Sequence, residues 1–318
     1  MTAMRRALTV GIDDYPAAPL SGCVTDAHMM ADLLARHHDG SPNFDVKAYT
    51  GPPDDVTRAS LRQNIAQLLA SPADVALFYF SGHGTENNLG GYLVTSDAKR
   101  YDEGVPLVEL LTLANRSQVR EVVILLDCCH SGALGQLPEI RNETATIREG
   151  VSILTASRSS EVAIETAGMG LFTALVAAAL EGGAADAVGR ITVASIYAYV
   201  EESLGPWDQR PLFKSHLSTL ISLRNAKPAI DIAILRRLPA WFAQPDSEFP
   251  LDSSYEPDAA PRDEEHEQIF GGLQKCRAAK LVEPVGEEHM YYAAIRGKAC
   301  RLTPLGRHYW RLANEGRI

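Results

Sequence analysis

Residues 75–84 read VALFYFSGHG and residues 122–132 read VVILLDCCHSG. Each is a short, nearly unbroken apolar run that stops abruptly at polar or chemically reactive residues. A run of five or six apolar residues without alternation predicts a strand buried on both faces, the kind found in a parallel sheet. Residues 5–12 (RRALTVGI) and 151–154 predict two further strands, and Leu217–Leu223 a last one. Helical spacing lies between them. Met30, Leu33 and Leu34 follow Thr25-Asp26-Ala27, while Thr57 is placed to cap a helix carrying Leu61, Ile65, Leu68 and Leu69. Further helices are expected at about 105–115, Leu171–Leu180 and Ile191–Leu204. Strands alternating with helices predict an α/β fold, a mostly parallel sheet with helices on both faces.

Open parallel sheets bind ligands beyond the carboxyl ends of their strands. The ends of the two quoted strands therefore put a histidine, His83, and a cysteine, Cys129, on one rim. A thiol is a poor nucleophile at its free pKa of about 8.5. An adjacent imidazole makes the thiolate accessible and can then protonate a leaving amine. Alternation along the chain points Cys128 and His130 away from Cys129. Adjacent cysteines and a histidine do not converge on one ion as spaced ligands do, so no metal site is expected at 128–130.

SGHG and DCCHSG resemble the signatures of the clan CD cysteine peptidases, which share the caspase-hemoglobinase fold, and most closely the metacaspase and bacterial orthocaspase branch (peptidase C14 type). His83 precedes Cys129 by 46 residues, against an interval of about 50 in the caspase signature. Gly11-Ile12-Asp13-Asp14-Tyr15 and Leu20-Ser21-Gly22-Cys23-Val24-Thr25-Asp26-Ala27 fit G-I-x-x-Y and L-x-G-C-x-N-D-A, with Thr25 where Asn is usual. Leu154-Thr155-Ala156-Ser157 and Gly170-Leu171-Phe172-Thr173 extend the likeness over roughly residues 1–225.

The resemblance implies Cys129 as nucleophile, His83 as general acid–base, and the backbone N–H groups of Gly84 and Cys129 as oxyanion hole. It also implies an acidic specificity pocket made by Asp26, Ser81 and Asp127, with Cys23 beside it. Two carboxylates favour a guanidinium held bidentately, so cleavage after Arg, then Lys, and not Asp is expected. Residues 133–150 correspond to the loop cut on activation of such zymogens, and Arg141 and Arg148 are its candidate self-cleavage sites. No cofactor is expected. A calcium site is poorly supplied, because Asn87–Asp102 offers only Asp97 and Asp102 where six to eight oxygens are needed. Antiviral defence or programmed cell death is the setting that the resemblance implies.

The 318 residues carry 30 Lys+Arg and 40 Asp+Glu, a formal charge of −10. That charge argues against a protein that coats nucleic acid or anionic membrane over its whole surface. The longest apolar run, Leu171–Leu180, is half the roughly 20 residues of a membrane span. Five cysteines without framework spacing predict a reducing, cytoplasmic compartment.

Residues 1–242 form the expected peptidase domain. Proline, serine and acidic residues crowd into 243–263, which reads as a linker. Residues 264–318 carry nine Lys/Arg and seven Glu, a net of +2 that leaves −12 for the rest. A helix around Ile269–Leu281, a hairpin of Met290–Ile295 with Lys298–Leu302 turning at Arg296-Gly297, and a helix capped by Thr303 resemble a small α+β winged-helix module. Cys276 and Cys300 read as core positions there. Arg296, Lys298, Arg301, Arg307 and Arg311 would suit DNA phosphates, although a protein-recognition or regulatory role fits the weak net charge better. The partners expected are protein substrates with accessible Arg or Lys sites and an upstream activator or regulatory protein. A DNA-binding or adaptor regulator with a non-cleaving domain is the alternative.

Overall fold

The computed structural model describes residues 4–51, 56–88, 90–128, 147–156, 165–166, 169–204, 211–217, 219, 221–258 and 261–318. The chain divides into two compact units, Met1–Ala185 with Arg190–Lys227, and Asp186–Gly189 with Pro228–Ile318.

The first unit is built on a six-stranded sheet. Its strands are β1 (Arg5–Gly11), β2 (Asp45–Tyr49), β3 (Val75–Ser81), β7 (Glu121–Asp127), β8 (Val151–Thr155) and β12 (Leu212–His216), in the order β12-β8-β7-β3-β1-β2. All pairings are parallel except the edge pair β12–β8. Every residue of β3 and β7 is buried, which is why neither shows polar alternation. Their even-numbered residues, Phe78, Phe80, Ile124 and Leu126 among them, pack with α2 (Arg58–Ala70) and α3 (Leu107–Arg116). The odd-numbered Leu77, Tyr79, Val123 and Leu125 face α1 (Cys23–Ala35) and the helices Leu171–Ala178 and Val193–Ser203. Thr57 caps α2 through the Ser60 N–H at 3.2 Å.

The register aligns Gly11, Ser81 and Asp127 in one row across β1, β3 and β7. After β3 the chain forms an antiparallel sheet of β4 (Gly84–Asn87), β5 (Gly90–Lys99) and β6 (Asp102–Pro106), in the order β4-β5-β6. The two-residue strands β9 (Glu165–Thr166) and β10 (Met169–Gly170) pair with each other, as do β11 (Arg190–Ile191) and β13 (Arg224–Asn225).

One expectation for this unit is corrected. The last strand lies at Leu212–His216, not Leu217–Leu223. Leu217, Ile221 and Leu223 still join the core, from irregular chain rather than from a ladder. Arg148, one of the two candidate self-cleavage sites, is half-buried and held by hydrogen bonds. Its guanidinium donates to the carbonyls of Ala114 (3.1 Å), Val119 (2.6 Å) and Glu149 (2.6 Å), and its N–H to Asn115 Oδ1 (3.0 Å). It thereby ties the end of the 133–150 segment to the C-terminal end of α3. Burial lowers its pKa from the usual arginine value.

In the second unit β14 (Glu248–Pro250), β15 (Val282–Val285) and β16 (Ala299–Leu302) form an antiparallel sheet with β16 at the centre. The 243–263 stretch is therefore no linker. Phe249 pairs with Cys300, and Leu251 and Tyr255 are buried in this unit's core. Proline and acidic residues suit an edge strand, which needs few ladder donors. The boundary moves from 242 to about 228.

The expected hairpin is also redrawn. Met290–Ile295 is a helix, because Met290, Ala293 and Ala294 are buried at helical spacing while Tyr291, Tyr292 and Ile295 face out. β15 pairs with β16 instead. Cys276 and Cys300 are core residues whose thiols burial pushes up to about 12. Two of the proposed phosphate-contacting residues are already neutralised, Arg296 by Glu287 at 2.9 Å and Arg301 by Glu283 at 2.8 Å.

Candidate active site

His83 follows β3 by two residues and is fixed at both backbone groups. Its N–H donates to Tyr15 Oη at 3.0 Å, and its carbonyl accepts the Val94 N–H at 2.9 Å. Tyr15 Oη donates in turn to the Val94 carbonyl at 3.3 Å. The tyrosine ring lies against the imidazole with centroids 4.6 Å apart. A side chain at position 82 would place its Cβ 2.5 Å from Tyr15 Oη, so glycine is what lets the tyrosine reach the strand tip.

The imidazole Nε2 lies 2.7 Å from the Ala18 carbonyl oxygen. A carbonyl only accepts, so Nε2 carries hydrogen and Nδ1 holds the lone pair of the neutral ring. This arrangement leaves Nδ1 able to take a proton from a thiol. Sequence reading assigned no role to either partner. Tyr15 carried a signal in the G-I-x-x-Y match, whereas Ala18 contributes only a backbone oxygen, which no side-chain pattern reveals.

Cys129 and Arg141 lie outside the described residues. Asp127, two positions before Cys129, ends β7 in register with Ser81, and Cys128 is buried on the α2–α3 face. Gly84 opens β4 opposite Leu93.

Asp26, Ser81 and Asp127 come together on the α1 face, and all are buried (1%, 2% and 8% exposed). Asp13 sets the start of α1 by accepting the Cys23 N–H at 2.8 Å. One turn on, Asp26 Oδ2 accepts from Ser81 Oγ and from the Gly170 N–H, both at 3.4 Å. Among the described residues its Oδ1 is buried with no hydrogen-bond partner. Asp127 Oδ2 accepts the Thr173 hydroxyl at 2.6 Å and the Thr173 N–H at 3.3 Å. The carboxylate thus occupies the N-terminus of helix Leu171–Ala178, where backbone N–H groups and the helix dipole favour negative charge. A Cβ at Gly170 would collide with Asp127 Oδ2.

Burial, reinforced by the neighbouring Asp127, raises the Asp26 pKa to about 7. Burial also raises that of Asp127. The Cys23 thiol, pushed up to about 12 by burial, is no nucleophile at neutral pH.

The two carboxylates considered for calcium are engaged by Arg58. Asp97 Oδ1 accepts its N–H at 2.9 Å as well as the Thr95 hydroxyl at 2.6 Å, and Asp102 pairs with its guanidinium. Among the described residues no three His, Cys, Asp or Glu side chains are grouped to hold a metal, and no helix is long and apolar enough to cross a membrane.

A family model for the caspase domain matches residues 4–221. The chain belongs to the caspase-domain family of cysteine peptidases. Metacaspase-2 of Trypanosoma brucei brucei is 31% identical over 153 residues, covering 42% of this chain and 43% of that protein. Metacaspase-1 of Candida glabrata is 25% identical over 169 residues, covering 47% and 42%. The chain thus spans less than half the length of these relatives. A solved Geobacter sulfurreducens protein superposes with a TM-score of 0.51 at 18% identity, covering 71% of this chain and 98% of that one. It shares the caspase-domain chain's fold.

Proposed function

We propose that this caspase-domain chain is an endopeptidase that cuts polypeptides after Arg, and less readily after Lys, with Cys129 and His83 as its catalytic pair. The observation that carries the reading is the pair of buried carboxylates, Asp26 and Asp127. Asp127 ends the strand that leads, in sequence, to Cys129, and Asp26, on α1, meets Ser81 at the end of the strand that leads to His83; among the described residues one oxygen of Asp26 has no hydrogen-bond partner. An unpaired buried carboxylate oxygen is costly unless a charged donor meets it. The five-donor fork of an arginine side chain can serve both acids at once.

In the first step His83 Nδ1 takes the Cys129 proton and the thiolate sulfur bonds to the substrate carbonyl carbon. The N–H groups of Gly84 and Cys129 receive the developing oxyanion. Collapse breaks the C–N bond, and the imidazolium gives its proton to the departing amine. His83 then takes a proton from water as the water oxygen bonds to the thioester carbon, the C–S bond breaks to release the acid, and the imidazolium returns its proton to the Cys129 sulfur. The Ala18 carbonyl keeps the ring in the required tautomer throughout. A bacterial cell-death or antiviral setting rests on the resemblance alone.

The test is turnover of peptidyl aminocoumarins ending in Arg, Lys or Asp. Release in the order Arg, Lys, with none after Asp, supports the reading. A relative 31% identical over 157 residues is named an inactive metacaspase, so family membership by itself leaves turnover to be measured. Absence of turnover of all three substrates would instead favour the adaptor reading.

Two further results are expected. For the Arg substrate, kcat/KM should rise with pH through about 7 as Asp26 ionises, and Asp26→Asn should lower the plateau and remove that limb. Stability has the opposite sign. The Asp26 pKa is raised on folding, so its contribution is present at low pH and is lost as pH rises from about 4 toward 7. The Tm of Asp26→Asn relative to wild type should therefore increase between pH 5 and pH 8. A Tm difference flat with pH would contradict the assignment.

Self-processing is proposed at Arg141 and not at Arg148, whose guanidinium is already committed to three carbonyls. Arg141→Gln should remain a single band on a denaturing gel. Arg148→Gln should still be cut but lose about 2 kcal/mol of stability in a denaturant titration. Cleavage that persists in Arg141→Gln and stops in Arg148→Gln would reverse this assignment.

A further inference from the structure

A cavity of about 390 Å³ opens beside His83, within the range of roughly 300–1,000 Å³ seen for ligand pockets. Its walls include Tyr15, Ala18, Val94 and Ala98. Neither Asp26 nor Asp127 lines it, so it is distinct from the acidic pair. The sheet order places β7, which leads to Cys129, on one side of β3 and β1, which leads to Tyr15–Ala18, on the other. The cavity therefore lies on the side of His83 away from β7.

Resting on the peptidase reading above, we propose that this cavity binds the departing half of the substrate, the residues that follow the scissile bond. The acyl half stays bonded to the Cys129 sulfur, while the amine is released where the histidine can protonate it. The departing chain consequently begins at the imidazole, and the adjoining space on that side is this cavity.

Its chemistry names the preferred segment. The walls close to the imidazole are apolar or aromatic and suit an aliphatic first residue. At the rim are Lys99 and Arg100, both exposed and, among the described residues, in no ion pair. Arg100 lies over the Tyr101 ring, 5.0 Å from its centroid. The opposing rim charge is Glu103, whose Oε1 accepts the Tyr101 N–H at 3.3 Å. Asp97, which Lys99 also influences, does not line the cavity, and its carboxylate accepts from the Arg58 N–H and the Thr95 hydroxyl, so the two cations favour an acidic residue in the second or third position of the departing segment.

Three substrates test this assignment. Two internally quenched peptides share one sequence through Arg and continue as Leu-Glu-Glu or Leu-Lys-Lys. The third is the matching Arg-aminocoumarin, which has no residues beyond the scissile bond. At low salt the Leu-Glu-Glu peptide should be cut with a kcat/KM at least about fivefold higher than the Leu-Lys-Lys peptide. The ratio should shrink at high salt as screening sets in. In the double variant Lys99→Glu, Arg100→Glu the preference should invert. This ratio is taken within one protein, so partial loss of folded enzyme cancels. Release of aminocoumarin together with equal cutting of the two peptides would overturn the cavity assignment and leave the peptidase reading standing. No cutting of any of the three would overturn both.

Discussion

Cys129→Ala, His83→Ala and the double variant are expected to show one common residual rate, about 10⁴- to 10⁶-fold below wild type on an Arg-ended substrate. The two side chains act as a unit, so losses should not add. Without the thiol, the imidazole has no proton to take and no bond can form to the carbonyl carbon. Without the imidazole, the thiol remains mostly protonated and the leaving amine receives no proton. Substrate binding should survive in all three variants, because Asp26 and Asp127 are untouched. Binding can be followed by anisotropy of a labelled Arg peptide. Strictly additive losses, or substantial turnover by His83→Ala, would show that the proton is handled elsewhere. The geometry against that outcome is the Nε2 contact of 2.7 Å to the Ala18 carbonyl and the Tyr15 hydroxyl holding the His83 N–H. These contacts place one ring, in one tautomer, at the strand tip.

Asp127→Asn is expected to lower kcat/KM for Arg-ended substrates by about 10²- to 10³-fold while leaving the fold intact. Truncating one partner of a buried, hydrogen-bonded charge pair costs about 2–5 kcal/mol, and each 1.36 kcal/mol is one decade. Asparagine has the same shape, and its Oδ1 can accept both Thr173 donors that now bond the carboxylate. It also removes a charge whose burial is unfavourable in the free protein, as the raised pKa of Asp127 shows. Thermal stability should therefore be equal to or above wild type even as activity on Arg collapses. A fall in Tm matching the fall in activity would make Asp127 a structural cap of helix Leu171–Ala178. Unchanged activity on Arg would remove it from the specificity pocket.

How much of this was legible in the sequence differs between the two units, for physical reasons. β3 and β7 could be read directly, because burial on both faces demands an unbroken apolar run and glycine marks the exit. α2 could be read because Thr57 is a capping residue and its apolar positions keep helical spacing. The second unit yielded less. Phe249, Leu251 and Tyr255 are too few to stand out in a proline- and acid-rich stretch, yet they suffice to pack an edge strand onto a neighbouring one. Met290–Ile295 is apolar at almost every position, so its period was ambiguous until packing showed which residues face the core. β4–β6 went unread because their pairing depends on turns and non-local hydrogen bonds more than on apolar pattern.

The sequence by itself determined four strands of the buried sheet, β1, β3, β7 and β8, the residues that follow their tips, and hence the family, since these depend on local apolar runs and on short motifs. Only the tertiary structure decided how Asp26, Ser81 and Asp127 are buried and bonded, that a carbonyl at Ala18 selects the tautomer of His83, and that Arg148 is a clamp. Those facts arise from desolvation and from backbone oxygens brought in by distant segments. Neither is a property of residue identity; both exist only once the chain has folded.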